Sequence, residues 1–192
     1  FEMIDTGLQQ VENPSMMLLS GRPENASGTC VTCVIEGSRP ILAEIQALVS
    51  KSSYPVPKRT ATGFDYNRTA MLLAVLEKRC GYFFGNLDVY LNIVGGLRLD
   101  EPSADLAVVM ALISNLVDRP LDTGLAAFGE VGLAGEIRTV SRAQTRVGES
   151  YRLGFRRIVL PYSNAQQISV AQYPDLELLP IRSVGDLRRI IE

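Results

Sequence analysis

Any nucleophile in this sequence must find its base among very few side chains. No histidine occurs in the 192 residues, which removes Ser-His-Asp catalysis, Cys-His catalysis and the usual zinc sites together. A serine can also be activated by lysine, because a desolvated ammonium loses its proton near neutral pH and the free amine then accepts the hydroxyl proton. The lysines are Lys51, Lys58 and Lys78. Two lie in or beside a polar stretch and the third near the end of a predicted helix, and no motif ties any of them to a nucleophile. The cysteines are equally sparse. Cys30-Val31-Thr32-Cys33 is a C-x-x-C, but only Cys80 remains as a further soft ligand. In a strand its two thiols point to opposite faces, so these cysteines read as small core residues rather than a redox or metal site.

The basic residues are the other set with chemical potential. Residues 138–157 hold six arginines (138, 142, 146, 152, 156, 157) against one acid, Glu149. Residues 51–68 add Lys51, Lys58, Arg59 and Arg68 against Asp65. Such cations could contact phosphates without reading bases, the segments are read as lacking the interleaved aromatics that base stacking on single strands would use, and the simpler alternative is a solvated face with local ion pairs. The net charge of −2 announces no nucleic-acid partner globally, although binding depends on where charge sits.

Those side chains must be positioned by ordinary globular elements. Apolar residues are 46% and charged residues 21% of the chain, and no apolar run approaches a membrane span. The first residues, Phe1-Glu2-Met3-Ile4-Asp5, carry acids where a signal peptide would carry Lys or Arg. With three cysteines, a reducing cytoplasm is the expected compartment. Scattered turn signals fill 1–28. Two β-rich runs, 29–34 and 41–49, flank Glu36-Gly37-Ser38-Arg39 and predict a hairpin, followed by a polar loop over 51–63. A helix is predicted over 70–77, capped by Asp65 or Asn67 and closed by Gly81. A second spans 103–117 with Pro102 in its first turn, a third spans 141–153 before Gly154, and a short one spans 184–191. Further strands are predicted over 88–94, 125–128, 133–140, 158–160 and 176–179. Strands and helices interleave around an initial hairpin, which favours a mixed α+β domain over a doubly wound sheet. One domain over 1–192 is the simplest division.

Three stretches give this pattern a family. Leu99-Asp100-Glu101-Pro102-Ser103-Ala104-Asp105 resembles the Gly-Pro-Ser-Ala-Gly run that carries the nucleophilic serine in active Lon protease domains. Ser103 falls at that serine, with Glu101 and Asp105 replacing the flanking glycines. Gly129-Glu130-Val131 through Gly135 to Arg142, and Leu153-Gly154-Phe155 through Leu160-Pro161, are similar to later strands and turns of the same family. Within it the RadA/Sms subgroup is the nearest resemblance, carried by Ile41-Leu42-Ala43-Glu44-Ile45-Gln46-Ala47-Leu48-Val49, by Lys58-Arg59 with Thr62-Gly63-Phe64-Asp65 and Asn67-Arg68, and by 103–107 and 128–138.

The resemblance implies a Lon-type α+β fold with a mixed sheet and packed helices. It implies a bacterial parent with an N-terminal zinc finger and a RecA-like ATPase using ATP and Mg; the chain begins at Phe1 and reads as part of such a protein. It also implies ring assembly, a hexamer by family habit, and work on DNA in recombinational repair and branch migration beside a RecA-type recombinase. In Lon domains the catalytic lysine lies nine positions after the hairpin glycine. Counting nine from Gly135 reaches Gln144, an amide that cannot serve as a base. The expectation is a non-proteolytic domain with a vestigial Ser103 and no cofactor of its own. Lys58, Arg59 and Arg68 are the expected phosphate contacts, with Arg142 and Arg146 behind them. Two alternatives remain: a serine peptidase using Ser103 with another base, and an oligomerisation domain that never touches DNA.

Overall fold

The computed structural model describes residues 2–4, 7–9 and 14–192. In chain order the elements are β1 (Glu2–Ile4), β2 (Gly7–Gln9), α1 (Pro14–Leu18), β3 (Thr29–Glu36), β4 (Arg39–Lys51), β5 (Arg59–Thr62), α2 (Tyr66–Val75), β6 (Leu87–Ile93) and α3 (Asp105–Leu116). There follow β7 (Leu125–Ala127), β8 (Glu130–Val131), β9 (Ile137–Arg138), α4 (Ala143–Arg152), β10 (Arg157–Pro161), α5 (Tyr162–Ala165), β11 (Glu177–Ile181) and α6 (Arg188–Ile191).

The expected hairpin is the centre of the sheet. β3 and β4 pair antiparallel from Thr29 opposite Gln46 to Glu36 opposite Arg39, turning at Gly37. Around them seven strands run in the order β11-β10-β7-β3-β4-β6-β5. β4 and β6 are antiparallel, whereas β7 runs parallel to both β3 and β10, and β10 to β11. The sheet is therefore mixed, and the α+β expectation holds.

The period of two along β3 divides the core. Cys30 and Val34 join the main cluster with α2 and α3, while Val31 and Cys33 face the other side with Leu42, Ala126 and Phe155. Burial pushes both thiols up to about 12, so neither ionises near neutral pH and both behave as small apolar residues. α3 is the central helix: residues 105–114 are buried without exception, as expected for a helix apolar on nearly every face. Beyond it, α4 packs Ala143 and Val147 against Phe128, Ile158 and Leu160.

Some boundaries differ from those the sequence predicts. Within 51–63, β5 pairs parallel with β6 as a four-residue edge strand; its alternating exposure is too short a signal to read. Of the strand expected over 133–140 only β9 forms; it pairs back onto β8 across a turn in which Gly132 N–H donates to the Glu136 carbonyl at 2.9 Å. Gly135, at φ +86°, makes that turn possible. α2 is capped by Asp65, whose carboxylate accepts from Arg68 N–H at 2.7 Å, and runs into a π turn over Leu76–Cys80 before Gly81 at φ +75°. The last helix divides into a 3₁₀ turn, Val184–Leu187, and α6. Among the described residues no helix is long and apolar enough to cross a membrane, and no cluster of His, Cys, Asp or Glu could hold a metal ion.

Candidate functional site

Ser103 lies in the 3₁₀ turn Pro102–Ala104 that leads into α3. Proline suits that turn because its fixed φ matches the first helical position. The turn is pinned from behind: Gly129 N–H donates to the Ser103 carbonyl at 2.8 Å, and Leu106 N–H donates to the Gly129 carbonyl at 3.1 Å. The residue is 1% exposed, so its hydroxyl faces protein. The group it meets is the guanidinium of Arg146, whose Nη1 donates to Ser103 Oγ at 3.1 Å.

Arg146 has no exposed surface, and its donors are used in several directions. Nε donates to the Ser141 carbonyl at 2.9 Å. Nη1 reaches the Cys33 carbonyl at 2.6 Å and Glu101 Oε2 at 3.2 Å, and Nη2 pairs with Glu101 Oε1. Glu101 Oε2 also accepts from Ile35 N–H at 2.9 Å, at the end of β3. This is a two-pronged Arg–carboxylate pair built between β3, the Ser103 turn and α4. Burial pushes the Glu101 carboxyl up, but the Arg146 and Ile35 donors outweigh it and hold it below its usual 4.5.

A second pair flanks the serine on the other side. Asp105, fully buried at the start of α3, accepts from Arg68 Nε at 2.8 Å and pairs with Nη2 through its other oxygen. Val131 N–H, on β8, donates to the same carboxylate at 3.0 Å. Burial raises the Asp105 carboxyl above its usual 3.8, with Arg68 and Val131 opposing. The two acids that stand two residues before and two after Ser103 each hold one arginine. Chemically this is a lock. A guanidinium donates and cannot take the serine proton, and a carboxylate beside Ser103 disfavours a developing oxyanion.

Residues 71–192 match the model of the Lon protease (S16) C-terminal proteolytic domain. The chain belongs to that family. It is also similar to proteins named DNA repair protein RadA. That of Synechocystis is 48% identical over 161 residues (84% of this chain, 32% of the relative). That of Bacillus subtilis is 48% identical over 164 residues (85% and 36%). One from Streptococcus pyogenes is 42% identical over 191 residues (100% and 42%). The resemblance to RadA-type Lon-like domains is therefore borne out, and the chain spans about a third to two-fifths of the length of these relatives.

On this Lon fold the predicted site residues separate. Gln144 is a correction: its Nε2 donates to the Tyr173 hydroxyl at 2.7 Å and its Oε1 accepts from Ser169 N–H at 3.3 Å, away from Ser103. Two residues along a helix is a rotation of about 200°, so counting to Gln144 lands on the wrong face of α4. Arg146 is the residue opposite the serine. Arg146 is also corrected as a phosphate contact, because a fully buried guanidinium does not reach a ligand. Arg68 is held by Asp105, with a quarter of its side chain exposed. Arg59 donates to the Phe84 carbonyl at 2.7 Å, the Lys58 carbonyl at 3.1 Å and the Leu87 carbonyl, and so braces the sheet edge.

Lys58 and Arg142 remain exposed. They do not share a surface. Lys58 N–H donates to Asp88, which pairs with Ser50 near the end of β4. Arg142, at φ +54°, reaches the Ser38 carbonyl at 3.5 Å, beside the start of β4. Thirteen residues of strand put those ends about 40 Å apart. Lys51, Lys58 and Lys78 are all exposed, and none donates to Ser103.

What the sequence reading missed was the arginine clamp. The signal was available: two acids in place of glycines beside a serine call for cations once buried.

The pH dependence of stability follows from Glu101. Its folded-state carboxyl lies below 4.5, so its contribution is present above that value and is lost as pH falls through the folded-state value. Urea unfolding of wild type and Glu101→Gln should show a larger difference at pH 7 than at pH 3. A difference independent of pH would remove the ionic account of this pair.

Proposed function

We propose that this chain is the non-proteolytic Lon-like domain of a RadA-type DNA-repair ATPase, acting as a scaffold that joins copies into a ring and touches DNA during recombinational repair and branch migration. The observation that carries this reading is the Arg146 Nη1 to Ser103 Oγ contact of 3.1 Å. It puts a donor where a peptidase needs a base, and the surrounding ion pairs turn the former catalytic face into an interior joint. The names of the relatives supply the repair context. The ATPase, its ATP and Mg, and the zinc finger belong to the rest of such a parent.

DNA contact falls to the exposed cations rather than the internal arginines. Lys58→Ala and Arg142→Ala should each weaken binding without changing stability, and each should reduce the salt slope by about one. Arg59, Arg68 and Arg146 variants should lose stability first. Sedimentation of this chain with and without DNA tests assembly and binding together: a DNA-dependent shift supports the reading. Assembly that ignores DNA at low salt would leave a pure oligomerisation domain instead.

A further inference from the structure

The three lysines of the sequence belong to one end of the sheet. Lys51 ends β4 opposite Leu87, Lys58 N–H donates to Asp88 Oδ1 at 2.7 Å, and Lys78 follows Glu77, whose Oε1 accepts from Phe84 N–H at 2.8 Å. Two exposed rings stand among them: Tyr54, 56% exposed, and Phe83, 62% exposed. The loops that carry the rings are tied to each other. Ser52 N–H donates to the Asn86 carbonyl at 3.3 Å, and Arg59 Nη2 to the Phe84 carbonyl at 2.7 Å.

Each ring is braced on one side. Lys58 Nζ lies 4.1 Å from the Tyr54 ring centroid, a cation–π contact. The Phe83 ring lies over Gly85, where an added Cβ would come within 2.5 Å of Cζ. The nearby acids are already engaged: Asp88 is 6% exposed and accepts from Lys58 N–H, and Glu77 accepts from Phe84 N–H. What is left facing outward is two aromatic surfaces, with the exposed Lys51 and Lys78 at the same end and the Lys58 ammonium against one face of Tyr54. Rings take unstacked bases of any sequence, and lysines take the phosphates between them. A duplex keeps its base faces covered and offers only the phosphates.

We propose that this end of the molecule is a platform for single-stranded nucleic acid, with Tyr54 and Phe83 stacking on bases and Lys51, Lys58 and Lys78 contacting the backbone. The proposal rests on the DNA-binding reading above and adds the strand type and the stacking groups.

The test is fluorescence anisotropy at fixed salt with three probes: an oligothymidylate about 20 nucleotides long, an abasic strand of equal length and charge, and a duplex. Wild type should bind the oligothymidylate about a hundredfold more tightly than the abasic strand, about tenfold for each ring. Tyr54→Leu and Phe83→Leu should each remove about tenfold for the oligothymidylate, while leaving abasic affinity and salt slope unchanged. Gly85→Ala keeps the aromatic residue but displaces its ring, and should reproduce the Phe83→Leu loss; circular dichroism checks the fold of every variant. Replacing the three lysines by glutamine should weaken binding to both strands and flatten the salt dependence. Equal wild-type affinity for the oligothymidylate and the abasic strand, unmoved by the ring variants, would overturn the platform and leave DNA binding standing. No binding to any of the three probes would overturn both.

Discussion

Replacing Arg146 by methionine should lower the unfolding free energy by about 3–5 kcal/mol, the range for breaking a buried pair by removing one partner. The guanidinium is fully buried and serves the Cys33 and Ser141 carbonyls, both oxygens of Glu101 and the Ser103 hydroxyl. Methionine fills a similar length but leaves those acceptors without donors, and buried acceptors without partners are destabilising one by one. Glu101, part of whose side chain is exposed, can draw in water, so Glu101→Gln should cost less than Arg146→Met. The double variant Arg146→Met, Glu101→Leu should recover part of the loss, because no charge is then stranded. Urea denaturation at neutral pH measures all of these. A loss under about 1 kcal/mol for Arg146→Met would place that residue among ordinary surface positions and contradict the clamp.

Arg68→Met is the second large effect, also about 3–5 kcal/mol at neutral pH, and its deficit, like that of Glu101→Gln, should shrink on acidification, although the Asp105 carboxyl is raised where that of Glu101 is lowered. Asp105 has no exposed side-chain surface. Its folded-state carboxyl is raised above 3.8, by burial first, with Arg68 pulling it down. A group raised on folding contributes stability present below its unfolded value and lost as pH rises through the folded one. Removing Arg68 removes a lowering influence, so the carboxyl moves further up. The deficit of the variant should therefore shrink as pH falls, when Asp105 takes a proton and no bare charge remains buried. Thermal unfolding between pH 7 and pH 4 reads this directly. A deficit that stays constant or grows on acidification would mean that the Asp105–Arg68 pair does not hold the second flank of Ser103.

How much of this was legible in the sequence depends on whether the signal was local. The β3–β4 hairpin was, because two β-branched runs flank a four-residue turn with Gly37 at its tip. α3 was too, since a long apolar run after Pro102 admits little else. β5 was not: four residues with alternating exposure between prolines and a glycine read as loop, and only pairing with β6 makes them a strand. The turn and β9 read as one strand over 133–140 because that turn, at Gly132 and Gly135, is short and flanked by apolar residues. At the site, the motif marks Ser103 and its two flanking acids. Their partners were hidden, because Arg146 lies in α4 and Arg68 in α2, and only the packing of the two helices on either side of the Ser103 turn brings them to Glu101 and Asp105. A count from Gly135 reached the right helix and the wrong face. The basic residues show the same limit from the other side. The resemblance groups Arg68 with Lys58 as phosphate contacts and sets Arg146 behind them, yet Asp105 holds the first and burial encloses the second. Tyr54 stood between Lys51 and Lys58 in plain view, but an aromatic in a proline-bounded loop says nothing until its exposure is known.

A serine with a guanidinium in place of a base should be inert, and this is the claim on which the functional reading depends. The direct measurement is labelling of the folded chain by a fluorophosphonate probe at neutral pH, with Ser103→Ala as control. The account predicts the same background signal from both proteins. Labelling of the wild type that disappears in Ser103→Ala would show an activated hydroxyl, and the domain would then be a working Lon-type peptidase.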